Sequence, residues 1–168
     1  GEKMSKIFDA IFLDRDGTIS HDPYGYINSL PDYNFFDYTF EALEILNKYT
    51  DKFVIVTNQS GLASGKIDLE NLEEINSFIY QEFDKRDLPL KKIYFAENYD
   101  ESYQSMRKPG IGMFAKAKEE FDIDLSKSYI KKISEYVKKR KYSNPVRLVY
   151  DKDISKTTLE FIIKKLKI

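Results

Sequence analysis

The sequence predicts an α/β fold, a parallel sheet flanked by helices on both faces, and two observations carry that expectation. Short apolar runs alternate along the chain with stretches whose apolar residues recur at helical spacing, the order of strand–helix–strand units. The runs at residues 7–13 and 53–57 are almost continuously apolar, as in strands covered on both faces.

Residues 7–13 form the first strand. Phe40, Leu43 and Leu46 then share one face of a helix. Residues 53–57 are the second strand. Leu69, Leu72, Ile75, Ile79 and Phe83 make a long helical stripe behind Asp68, a residue type suited to the cap. Residues 93–96 are the third strand, and Met113, Ala117 and Phe121 mark the next helix. A short strand is expected near 128–130, another at 146–150, and Leu159, Ile162, Ile163 and Leu166 define a closing helix. No repeat or linker interrupts the 168 residues, so a single domain over 1–168 is expected.

Composition narrows the function classes. A net charge of -1 gives no global pull toward nucleic acid or anionic lipid, so a nucleic-acid partner is not expected. With no Cys, disulfides and thiolate metal sites are excluded. That composition fits a reducing compartment, and a cytoplasmic location is expected. No apolar run reaches the length of a membrane helix, so no membrane partner is expected. Nothing in the sequence specifies an oligomeric state.

Chemistry concentrates in three segments. The first is Phe12-Leu13-Asp14-Arg15-Asp16-Gly17-Thr18, an apolar run leading into two acids one residue apart. If the strand continues through them, Asp14 and Asp16 face the same way and Arg15 faces opposite. Two neighbouring carboxylates repel, and such a pair suits a cation or a proton-transfer task. An Asp-Gly surface turn is the plainer explanation of this segment alone. In open parallel sheets ligands bind beyond the carboxyl ends of the strands, so the other strand ends should carry ligand-binding groups. Thr57-Asn58-Gln59-Ser60-Gly61 follows the second strand and offers neutral donors. Arg107-Lys108-Pro109 precedes a helix, and a Lys there can neutralise negative charge on a ligand or on the acid pair. A polar loop and a basic residue before a helix-starting Pro are common events singly. The order and spacing of all three make the set specific.

That set resembles the histidinol-phosphatase and heptose-bisphosphate phosphatase family of the haloacid dehalogenase superfamily. Leu13-Asp14-Arg15-Asp16-Gly17-Thr18, the run Thr57 to Gly65 and Arg107-Lys108-Pro109-Gly110-Ile111-Gly112-Met113 carry the resemblance, which spans about residues 7–129. It implies a Mg2+-dependent phosphatase on a Rossmann-like fold. By that likeness Asp14 attacks phosphorus and forms an aspartyl-phosphate, and Asp16 protonates the leaving oxygen and then activates water. Thr57, Asn58 and Lys108 would bind the phosphate, with Gln59 and Arg107 toward the rest of the substrate. Mg2+ would lie between the Asp14 carboxylate, the Asp16 backbone carbonyl and the phosphate. Neither gap between the segments holds more than one crossover of chain, so no large cap domain is expected. His21, Asp22, Tyr24 and Tyr26 are then the natural wall of an open site.

Two features depart from the family. Residues 94–101 carry no Cys, and His21 is the one His of the chain, so a Cys/His zinc loop is excluded on ligand count. The family's fourth segment, Gly-Asp-x-x-x-Asp, is missing. Ile130, Ile133 and Val137 instead share a helical face amid Lys and Arg where it should lie. Glu135, Asp151, Asp153, Glu97, Asp100 and Glu101 are the acids left to complete a metal shell. The expected function is a phosphatase of a small sugar phosphate such as heptose 1,7-bisphosphate. The alternatives are a weakly active or non-catalytic phosphatase-like binding protein, a histidinol-phosphate phosphatase, and a nucleic-acid 3'-phosphatase.

Overall fold

The computed structural model describes residues 8–22, 25–98, 105–108 and 111–130. The strand expected at 146–150, the helix expected at 159–166 and the basic helix after residue 130 lie outside the described residues. Among the described residues four parallel strands form one sheet: β1 (Ile11–Leu13), β2 (Phe53–Asn58), β3 (Leu90–Ala96) and β4 (Tyr129–Ile130), in the spatial order β3-β2-β1-β4. β1 lies between β2 and β4, with Ile11 opposite Phe53 and Tyr129, and Leu13 opposite Ile55.

Side-chain alternation sorts the apolar strands onto two faces. Ile11, Leu13, Phe53, Ile55 and Ile93 pack with Leu43 and Leu46 of α1 (Thr39–Leu46) and Ile75, Ile79 and Phe83 of α2 (Leu69–Asp84). Phe12, Val54, Val56, Tyr94 and Ala96 pack on the other face with Met113, Phe114 and Ala117 of α3 (Gly112–Phe121). The rings of Phe12 and Phe114 lie 5.2 Å apart across that second layer. Both strand faces are therefore buried, the physical reason that β1 and β2 read as unbroken apolar runs.

Four details differ from the sequence expectation. β1 begins at Ile11, because the backbone before it bonds elsewhere: Phe8 N–H donates to the Tyr49 carbonyl and Asp9 N–H to that of Lys127. β3 begins earlier, at Leu90, with a register irregularity opposite Phe53 and Val54. Leu69 is 48% exposed, since the first residue of α2 lies beyond the buried stripe that starts at Leu72. Asp68 does precede α2, but its carboxylate accepts from the side-chain amides of Asn28 and Asn71 and caps no backbone N–H.

Candidate active site

The strand ends β1 and β2 open into one cavity of about 230 Å³, lined by Asp14, Asp16, Asp22, Tyr26, Thr57, Asn58, Gln59 and Lys108 among others. β1 stops at Leu13, so the shared orientation of Asp14 and Asp16 comes from the turn after the strand. Gly17 adopts φ 77°, a left-handed conformation that suits glycine. The Arg15 carbonyl ties this turn, accepting the N–H groups of Thr18, Ile19 and Ser20 and the Ser20 hydroxyl.

Each acid has its own cation. The Lys108 ammonium lies 3.2 Å from Asp14 Oδ1, which also accepts the Arg15 N–H at 2.8 Å. Arg15 grips Asp16 with two parallel bonds, Nε to Oδ1 at 2.9 Å and Nη2 to Oδ2 at 3.0 Å. The repulsion expected between the acids is thus offset by two cations on different segments. The sequence reading turned Arg15 away from the acids. Its body is indeed fully buried, but its guanidinium folds back onto Asp16 beside the Tyr33 ring, 5.3 Å from the centroid. Burial holds the Tyr33 hydroxyl well above the usual tyrosine pKa, so that ring stays neutral.

The second segment closes the opposite side. Thr57 is buried at the end of β2, and its Oγ1 accepts from Gln59 Nε2 at 2.9 Å. Gln59 Nε2 also reaches Asp16 Oδ2 at 3.4 Å. The Asn58 amide is engaged by the main chain of Lys108: Nδ2 donates to its carbonyl at 3.0 Å, and its N–H donates to Oδ1 at 2.8 Å. The third segment is seated from behind by Gly112, whose N–H donates to the Ser105 carbonyl at 2.8 Å.

Of the expected site residues, Asp14, Asp16, Thr57, Asn58, Gln59 and Lys108 meet at this cavity, and Arg107 is not among its lining residues. Of the expected wall, Asp22 and Tyr26 line it, the His21 ring rests on Phe36 with centroids 4.4 Å apart, and Tyr24 lies outside the described residues. Glu97 belongs to a separate cavity with Tyr94, Met106 and Lys116. Asp100, Glu101, Glu135, Asp151 and Asp153 lie outside the described residues.

The donor set permits Mg2+. No group of three or more His, Cys, Asp or Glu able to hold a metal occurs among the described residues. Mg2+ needs no such cage, since it keeps several waters and takes one or two carboxylates plus phosphate oxygens. Asp14 and the Asp16 turn supply hard oxygen at the cavity. No described helix is long and apolar enough to cross a membrane.

A family described as polynucleotide kinase 3 phosphatase matches residues 9–162. The chain belongs to that family, within the haloacid dehalogenase superfamily. It is 36% identical over 134 residues to the D-glycero-beta-D-manno-heptose-1,7-bisphosphate 7-phosphatase of Escherichia coli O6:H1, covering 76% of this chain and 70% of that one. It is 36% identical over 119 residues to the D-glycero-alpha-D-manno-heptose-1,7-bisphosphate 7-phosphatase of Campylobacter jejuni, covering 71% and 67%. The fold is shared with D,D-heptose 1,7-bisphosphate phosphatase from B. bronchiseptica, a structure complexed with magnesium and phosphate. The TM-score is 0.68 at 19% identity, over 93% of this chain and 99% of that one.

Proposed function

We propose that this chain is a Mg2+-dependent phosphomonoesterase that works through Asp14, on a small sugar phosphate such as heptose 1,7-bisphosphate. One observation carries the reading: a carboxylate held 3.2 Å from a lysine ammonium at the strand ends, in a cavity shared with a second carboxylate and with Thr57. The relatives named for heptose bisphosphate, alike over about three quarters of this chain, support the substrate class.

The reaction divides among the residues as follows. An Asp14 oxygen attacks phosphorus and forms an aspartyl-phosphate as the ester P–O bond breaks. Asp16 gives its proton to the departing oxygen, then takes one from the water that hydrolyses the intermediate. Lys108 and Thr57 hold the phosphoryl oxygens, and the Lys108 charge reduces the repulsion between Asp14 and the dianion. Asp14 and the Asp16 carbonyl would hold Mg2+, which would supply positive charge to polarise the phosphoryl group. Asp22 and Tyr26 stand where the sugar would pass.

A second reading, removal of a 3'-phosphate from a nucleic-acid end, is favoured by the description of the matching family. Phosphate release in Mg2+ from heptose 1,7-bisphosphate, histidinol phosphate and a 3'-phosphorylated oligonucleotide separates the readings. Fastest turnover of the bisphosphate supports the proposal. Preference for the oligonucleotide replaces it, and no release from any leaves a binding protein on a phosphatase fold.

A further inference from the structure

We propose that Arg15 is a positioning residue for Asp16, holding its carboxyl in the one orientation from which the proton reaches the leaving-group oxygen. The inference rests on the phosphatase reading above.

Arg15 is 0% exposed and heads the largest fully buried side chains among the described residues. A buried guanidinium is costly unless paired and hydrogen-bonded, and an arginine at the end of an apolar strand has no need of burial for the fold alone. Its fork uses Nε and Nη2 on the two oxygens of Asp16, which fixes the plane of that carboxylate and not merely its distance. The fork and the main chain that carries it are each held. The Tyr33 ring flanks the guanidinium at 5.3 Å, and the Arg15 carbonyl is bound by four donors of the following turn. Among the described residues Nη1 has no hydrogen-bond partner, and Asp16 is the one carboxylate with which the guanidinium pairs. Gln59 approaches the same Asp16 Oδ2 from the second segment.

The chemistry uses this arrangement. As the ester bond breaks, its electron pair goes to the leaving oxygen, which takes the Asp16 proton. Asp16 passes from neutral acid to carboxylate in that step. Arg15 already stands where the negative charge develops, so little reorganisation is needed. A purely structural ion pair would fix the turn without distinguishing one leaving group from another.

The test compares kcat/KM for glycerol 2-phosphate, whose alkoxide must be protonated, with that for 4-nitrophenyl phosphate, whose phenolate leaves without help. This parameter covers only steps through transfer to Asp14, and the ratio of the two is independent of how much of a variant is folded. In Arg15→Met the alkyl-to-aryl ratio is expected to fall about 100-fold. In Arg15→Lys, which keeps the charge and loses the fork, it should fall about 10-fold. Should the Met variant not fold, the Lys variant carries the test. An unchanged ratio, with or without a common loss of rate, overturns the inference while wild-type turnover keeps the phosphatase reading intact. No release by wild type from either ester or from heptose 1,7-bisphosphate overturns both.

Discussion

Asn58 and Lys108, fifty positions apart, hold each other reciprocally, side-chain amide to main chain, at 3.0 and 2.8 Å. This bracket joins the end of β2 to the loop that presents the lysine to Asp14. Replacing Asn58 by Ala removes both bonds and strands two polar main-chain groups, at a cost of roughly 1–3 kcal/mol. Asn58→Asp keeps the acceptor for the Lys108 N–H and should fall between. Denaturant unfolding beside phosphate release checks both, with activity expected to fall in the same order as stability.

Gly112 allows the same loop to approach α3. A Cβ built there meets the Ser105 carbonyl oxygen at 2.6 Å and its carbon at 2.8 Å, backbone atoms that cannot swing aside. Gly112→Ala should push the Ser105–Lys108 stretch off its seat and cost roughly 1–3 kcal/mol. The KM for the phosphate ester should rise as well, because Lys108 moves with the loop. A variant as stable and as active as wild type would refute the close approach.

Glu82 yields a stability prediction away from the site. Its pKa is lowered, first by the hydrogen bond from Lys85 and also by Arg86, against a raising effect of burial. A carboxyl whose folded value lies below its unfolded one adds stability above the unfolded pKa and loses it as pH falls through the folded value. Glu82→Gln should therefore be less stable than wild type at pH 7, by about 0.5 kcal/mol. The gap should close once the solution is acidic enough to protonate wild-type Glu82. Thermal unfolding at pH 7 and in acid measures this.

Metal removal tests the oxygen donors of the cavity. Chelation is expected to abolish phosphate release, and added Mg2+ to restore it. Because no described cluster of three ligands cages the ion, half-maximal activity should need Mg2+ in excess of the enzyme by a wide margin, as for a site completed by water and phosphate. Full activity in chelator would contradict the assignment.

Legibility in the sequence followed the range of the interactions. Phe53 to Val56 announced a strand covered on both faces, since composition alone records that burial. Asp14, Asp16 and Thr57 were readable because short motifs at the ends of parallel neighbouring strands must meet, and Lys108 was readable from its motif, Arg107-Lys108-Pro109, on the loop before α3. Arg15 was missed as a partner of Asp16. Its fold-back depends on Tyr33, eighteen positions later, and strand alternation says nothing of a long side chain's far end. An arginine set between an apolar strand and a glycine turn was the available signal, since buried arginine is rare without a paired acid. The Asn58 bracket was missed for a similar reason, because an amide reads equally as a ligand donor and as a tie to distant backbone.

The central claim is that Asp14 is the nucleophile. The measurement that tests it most directly is phosphate release from heptose 1,7-bisphosphate in excess Mg2+, wild type beside Asp14→Asn. The amide matches the carboxylate in shape and removes its charge and nucleophilicity, so the variant should fold and lose activity on the order of 10⁴-fold. Turnover by a folded Asp14→Asn protein at the wild-type rate would contradict the account.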